Sequence, residues 1–123
     1  IFIYIDKKKE STISSITKLS QTHSEPAKIT FMNHFEFLLG ISERTPKNKD
    51  KALNFVYKFL SLQTSPITSA ILADLKHKYD KKGTTIALAD LLIATLTIEN
   101  RGVLVTKDKD FEKIEELKSV LIS

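Results

Sequence analysis

A chain of 123 residues suits one compact domain, and 41% hydrophobic against 28% charged residues is enough for a core without staples. The absence of cysteine excludes a disulfide framework and a thiolate metal site, and it fits a cytoplasmic location. No apolar run approaches the roughly 20 residues needed to span a bilayer, and the net charge of +4 is compatible with a nucleic-acid substrate.

Residues 1–5 read as a buried strand, being short, apolar and rich in β-branched side chains. Residues 7–10 lead into a helix over 11–23, with Ile13, Ile16 and Leu19 inward, and Pro26 ends that region. A second strand is predicted at 28–32. Asn33 is a plausible N-cap for a helix over 35–39 that ends at Gly40. The polar, basic loop 42–50 contains Pro46. An amphipathic helix is predicted over 51–62, with Leu53, Val56, Phe59 and Leu60 facing inward.

Residues 65–67 form a short connection or strand, followed by a helix over 68–82 that ends at Gly83. Thr84 or Thr85 caps the next helix, which runs to about Asn100 and stops at Gly102. A strand at 103–106, a short helix at 108–117 and a last strand at 120–122 complete the chain. Strands and helices alternate, with connections long enough for crossovers, which predicts a parallel α/β sandwich.

Three carboxylates stand out. Asp90 is the only charged residue in the stretch 86–98, and an ionised carboxylate in so apolar a helix is costly unless paired or bound to metal. The plainer alternative is a position in the opening turns, favoured by the helix dipole. Glu36 lies between Phe35 and Phe37; capping-box spacing to Asn33 is its plainer explanation. Asp108 follows the apolar strand by three residues, where open α/β sheets keep their chemistry, and Asp110 follows two residues later. Clustered acids repel one another, and a divalent cation removes that penalty. Oxygen-only ligands favour Mg²⁺ or Mn²⁺. The three histidines, His23, His34 and His77, have no zinc spacing, and no G-x-S-x-G, Walker A or G-x-G-x-x-G motif is present.

Residues 86–111 read I-A-L-A-D-L-L-I-A-T-L-T-I-E-N-R-G-V-L-V-T-K-D-K-D-F, and residues 30–40 read T-F-M-N-H-F-E-F-L-L-G. This pattern resembles the PIN-domain ribonucleases, in particular the VapC-like toxins of prokaryotic toxin–antitoxin pairs. The resemblance spans essentially the whole chain and implies a PIN-like α/β/α sandwich around a mainly parallel sheet. It implies a Mg²⁺- or Mn²⁺-dependent endoribonuclease whose catalytic and metal-binding acids are Glu36, Asp90 and Asp108, with Asp110 an accessory acid and Thr106 the hydroxyl near the site. Lys107 and Lys109, with Lys113, flank Asp108 and are candidate RNA contacts, although solvated lysines on a short helix are the commoner explanation for each; Lys47, Lys49 and Lys51 are candidates for which an exposed loop is the commoner explanation. A homodimer and a cognate antitoxin are also implied.

The family's first acid belongs to a strand–D-T-N motif followed by an apolar run such as I-F-I-Y. This chain opens on that run, so the expected aspartate falls about three residues before Ile1, and the first strand is expected to lack its start. Asp6 is the alternative. Two other functions remain open: an RNA-processing nuclease without an antitoxin, and a catalytically silent PIN module that binds RNA or protein.

Overall fold

The computed structural model describes residues 2–4, 27–42, 49–51, 53, 54, 57 and 60–122. Five strands form one sheet in the order β3-β2-β1-β4-β5: β1 (Phe2–Tyr4), β2 (Ala27–Thr30), β3 (Leu60–Leu62), β4 (Val103–Thr106) and β5 (Ser119–Leu121). Every pairing is parallel, with Ile3 opposite Lys28 on one side and Leu104 on the other. Parallel strands need crossovers, and the helices supply them: α1 (Phe31–Ile41), α2 (Pro66–Lys82) and α3 (Leu88–Glu99). The predicted parallel α/β/α sandwich is what the chain adopts. The helix predicted over 11–23 lies outside the described residues.

Several boundaries move, each for a local reason. The strand predicted at 28–32 stops at Thr30, because the Thr30 hydroxyl caps the next helix. It accepts the Asn33 N–H at 3.1 Å, and Asn33 Oδ1 accepts from both the Thr30 N–H and the Thr30 hydroxyl, at 3.3 and 2.7 Å. Asn33 is therefore the third helical residue rather than the N-cap, and the Asn33–Glu36 capping pair does not form. Helix α1 also runs through Gly40, whose Cα has open space around it, and is capped at Ser42.

The helix predicted over 51–62 ends early. Residues 49–51, 53 and 54 are helical, but Leu60–Leu62 joins the sheet edge, so Leu60 lies exposed on a strand instead of inward on a helix. Helix α2 starts at Pro66, whose fixed φ suits the first helical position, not at 68. It ends as predicted at Gly83, in the left-handed region at φ 74°. Neither Thr84 nor Thr85 caps α3; Ala87 occupies that place, its carbonyl accepting the Leu91 N–H at 3.0 Å. At the other end Arg101, not Gly102, takes the left-handed conformation, at φ 54°. Gly102 donates to Thr97 O at 2.8 Å and is buried. The helix predicted at 108–117 shrinks to a 3-10 turn, Lys109–Lys113, with Ile114 and Leu117 continuing into the core.

Helix α3 is buried through its middle, from Leu91 to Thr97 with Leu92 half-buried, as its apolar sequence requires. Leu91, Ile93, Ala94 and Leu96 are buried, and the Thr95 and Thr97 hydroxyls satisfy themselves on Leu91 O and Ile93 O, at 2.7 and 2.8 Å. The core joins these to Leu62, Leu75, Tyr79, Leu104, Phe111, Ile114 and Leu117. Glu99, at the end of α3, accepts from the Ser65 and Thr68 hydroxyls at the start of α2, at 3.0 and 2.5 Å, tying the two antiparallel helices together.

A second polar clamp fixes the C-terminal segment. The Tyr79 hydroxyl donates to Glu116 Oε1 at 2.6 Å and accepts the Glu115 N–H at 2.7 Å. Lys78 reaches both Glu115 and Glu116, and Lys82 reaches Glu115. Hydrogen bonds from Lys82 and Lys78 hold the Glu115 carboxyl below its ordinary range. For Glu116 burial pushes upward, but hydrogen bonds from Lys78 and Tyr79 outweigh it and the net direction is down.

Two stability predictions follow from these contacts. Tyr79→Phe keeps the ring in the core and removes both hydroxyl bonds, so urea unfolding should show a loss of about 1–2 kcal/mol; an unchanged midpoint would mean the clamp contributes nothing. Arg101→Gly relieves a left-handed position at an exposed site and should raise stability by a few tenths to about 1 kcal/mol in the same assay.

Candidate active site

The sheet order places a topological switch at the centre. From β1 the chain passes to β2 and β3 on one side, then crosses to β4 and β5 on the other. Ligands of open parallel sheets bind beyond the carboxyl ends of the strands at such a point. The relevant residues are those that follow β1 and β4. Asp6 follows β1 by two positions and lies outside the described residues, as does Lys47.

Beyond β4 the backbone is set by its own side chains. Thr106, the last strand residue, is buried, and its hydroxyl accepts the Asp108 N–H at 3.0 Å. Asp108 caps the 3-10 turn, Oδ1 accepting the Asp110 N–H at 2.9 Å. Asp108 and Lys107 are half-buried, whereas Lys109 and Asp110 are exposed. Asp110 sits 3.7 Å from Lys113 Nζ, a loose ion pair on the surface. A strand that ends in a hydroxyl thus turns at once into a loop that presents Asp108 at its neck.

Asp90 reaches the same edge by a different route. It is the third residue of α3 and half-buried. Only residues 100–102 separate the end of α3 from the start of β4, so the helix and the strand run back to back. From Glu99 back to Asp90 the helix rises about 14 Å. From Val103 to Thr106 the strand rises about 10 Å, and two further residues carry the chain to Asp108. The N-terminal end of α3, which bears Asp90, therefore lies towards the carboxyl end of β4. The positive end of α3 also favours a charged Asp90. Asp90, Lys107 and Asp108 each make further interactions.

Glu36 is placed less tightly. Because α1 begins at Phe31, Glu36 falls in the second turn, about 8 Å along the helix from its start. Its side chain is exposed, on a helix that packs against α3. Its neighbour His34 meets the Tyr57 ring edge-on at 6.3 Å, with Nε2 buried and without a hydrogen-bond partner among the described residues. Lys49 and Lys51 lie on the helical turn preceding Tyr57, half-buried and exposed respectively.

Thr106, Asp108 and Asp110 are thus brought together by one turn, while Asp90 stands in the first turn of α3 and Glu36 in the second turn of α1. Among the described residues no three of histidine, aspartate and glutamate are grouped closely enough to hold a metal ion. The donor chemistry at this edge is nonetheless purely oxygen, which suits a hard divalent cation rather than zinc. Thr30 was not among the expected site residues; the signal for it is a hydroxyl at the junction of an apolar strand with a helix. No described helix is long and apolar enough to cross a membrane.

The same architecture recurs in known structures. The VapBC2 structure from Rickettsia felis, bound to a promoter DNA fragment, contains a chain similar at TM-score 0.84 with 20% identity, the match covering 99% of this chain and 98% of that one. VapBC-1 from nontypeable Haemophilus influenzae gives 0.81 with 16% identity and 98% coverage of both chains. DNA-bound VapBC from Salmonella typhimurium gives 0.79 with 18% identity, over 97% and 96%. At such identities the likeness is one of fold, and no curated protein matches the sequence. The family assignment comes from the sequence itself: the PIN domain family model matches residues 2–117, from β1 to the last core leucine, and with the parallel switch-point sheet in place the chain belongs to the PIN domain family.

Proposed function

We infer that the chain is a metal-dependent endoribonuclease and the toxin of a toxin–antitoxin pair. The observation that carries this reading is Asp90, the only charged residue between Ile86 and Ile98, half-buried in the first turn of α3. Membership of the PIN family and the fold shared with VapBC complexes support it. The antitoxin partner rests on the toxin–antitoxin nature of those complexes, and a homodimer is the assembly expected of the toxin itself.

Glu36, Asp90 and Asp108 are the acids assigned to hold Mg²⁺ or Mn²⁺, with Asp110 accessory. Asp6 is the candidate for a further acid of the set. Bound there, the cation supplies a water of lowered pKa and offsets charge on the leaving oxygen. The protein's own part is positional. The Thr106 hydroxyl holds the Asp108 backbone and so orients the loop. The backbone N–H groups at the start of α3 favour an anion near Asp90. Lys107 and Lys109 flank Asp108 and draw the phosphate of the RNA towards it. A phosphodiester cut by activated water needs no nucleophilic side chain and no histidine.

A silent PIN module that binds RNA or protein is the second reading, favoured by the lack of a three-acid group among the described residues. Cleavage of single-stranded RNA separates the two. The nuclease should act with Mn²⁺ or Mg²⁺ and stop with EDTA. Asp90→Asn, which keeps the shape and removes the charge, should cut the rate at least about 100-fold with an unchanged circular dichroism spectrum. Wild-type cleavage by that variant removes Asp90 from the site; no cleavage by the wild type under any divalent cation supports the silent module.

Metal should also stabilise the fold. A cation that binds only the native state adds about 2.7 kcal/mol at a hundredfold excess over Kd. At a few degrees per kcal/mol, Tm should rise visibly in millimolar Mn²⁺. The rise should shrink in Asp90→Asn and be absent with monovalent salt of matched ionic strength. Equal shifts in wild type and variant would place the cation elsewhere.

A further inference from the structure

The loop that bears Asp108 is a long excursion from the sheet. It leaves β4 at Thr106 and returns where Lys118 O accepts the Leu104 N–H at 2.9 Å, one residue before β5. Within the excursion several bonds are local. Asp108 caps the 3-10 turn, the Ile114 N–H donates to Phe111 O, and the Leu117 N–H donates to Ile114 O, the last two at 3.2 Å. Such bonds shape a turn without fixing where it sits on the protein. Tyr79 ties the loop's backbone to α2. It is 2% exposed, stands in the last turn of α2 and packs in one core cluster with Phe111, Ile114 and Leu117. Its hydroxyl accepts the Glu115 N–H at 2.7 Å and donates to Glu116 Oε1 at 2.6 Å. Its carbonyl is engaged on the other side, accepting the Thr84 N–H at 2.9 Å as α2 ends at the left-handed Gly83. Residues 84–87 then lead into α3, whose third residue is Asp90. One residue thus holds the turn that precedes the helix of Asp90 and the far end of the loop that opens with Asp108.

We propose that Tyr79 is a positioning residue for the candidate metal site, fixing through these two bonds the separation of the arms that carry Asp90 and Asp108. This rests on the reading of those two acids as metal ligands. A hard divalent cation accepts a narrow range of oxygen distances, about 2.0–2.1 Å for Mg²⁺. An arm that is free to shift therefore costs affinity, and a side chain that never touches the ion can govern its binding. The phenol suits the task because its two bonds are directional and buried at the core. Lys78 and Lys82 pair with Glu115 and Glu116 at the surface, but such flexible ion pairs do not set a backbone position.

Thr68 supplies the control. Its hydroxyl is as buried as Tyr79 and donates to Glu99 at 2.5 Å, so it ties α2 to the C-terminal end of α3, about 16 Å along the helix from Tyr79. Mn²⁺ is titrated into the intact wild-type, Tyr79→Phe and Thr68→Val chains and followed by electron paramagnetic resonance, at a temperature where circular dichroism shows each to be folded. Tyr79→Phe should raise the Mn²⁺ Kd about tenfold. Thr68→Val, which also removes a buried hydroxyl bond, should leave Kd unchanged. Glu116→Ala, at an exposed position that the fold tolerates, takes away the acceptor of the phenol and should shift Kd in the same direction as Tyr79→Phe. Should Tyr79→Phe fail to fold, Glu116→Ala decides, and an unchanged Kd there overturns the proposal. Wild-type affinity in Tyr79→Phe, with Asp90→Asn weakened, overturns the role of Tyr79 and leaves the metal reading standing. Equal losses in Tyr79→Phe and Thr68→Val also overturn it, because general loosening of the fold then accounts for both. A wild-type chain that binds no Mn²⁺ overturns the metal reading and this proposal with it.

Discussion

The burial of α3 is the constraint on which the remaining structure depends. A twelve-residue helix with buried side chains around most of its circumference must have partners on several sides. It finds α2 along one flank, α1 along another and the strands beneath. Its polar atoms are handled internally: Thr95 and Thr97 bond back to the helix, and Asn100 donates to Leu96 O at 2.7 Å. Its two carboxylates sit at its ends: Glu99 accepts from the Ser65 and Thr68 hydroxyls, and Asp90 lies half-buried in the first turn, where the helix dipole favours negative charge.

The tight connection from α3 to β4 carries this outward. A helix followed after three residues by a strand must double back on it, and the two ends that are not joined come to the same side. Thr106 then converts the strand into the loop that bears Asp108, using its own hydroxyl to hold the backbone. Thr30 performs the corresponding task at the end of β2, starting α1 without a gap. Buried hydroxyls at strand ends recur because each turns a buried backbone group that has left the ladder into a satisfied one.

Helix α1 answers to two demands. Ile41 and part of its inner face serve the core, and Glu36 is its one charged residue, yet its outer face is as apolar as an interior. No charge pattern dilutes it, and Gly40 stands in its last turn with open space around it. The clamp of Tyr79, Lys78, Lys82, Glu115 and Glu116 is the opposite case: charged groups at the surface, paired with one another and with a buried tyrosine, bind the segment before the last strand to α2.

Much of this was legible in the residues. Alternating apolar segments gave a parallel α/β sandwich, and the uninterrupted apolar run around Asp90 marked both the central helix and its anomalous charge, because periodicity and isolated charge are local properties. Asp108 was legible for the same reason, as an acid just past an apolar strand. What the tertiary structure decided were the boundaries and the relations. Leu60 reads as the inner face of a helix, but the sheet had an open edge beside β2, and hydrogen bonding to it outweighed helical propensity. Asn33 reads as a cap, yet Thr30, held at the end of β2, reached the orphan N–H first. The side of the sheet towards which α3 turns its N-terminal end depends on the short connection to β4, and the exposure of the α1 face depends on which neighbours arrive. Both are properties of assembled elements, and no single segment of sequence contains them.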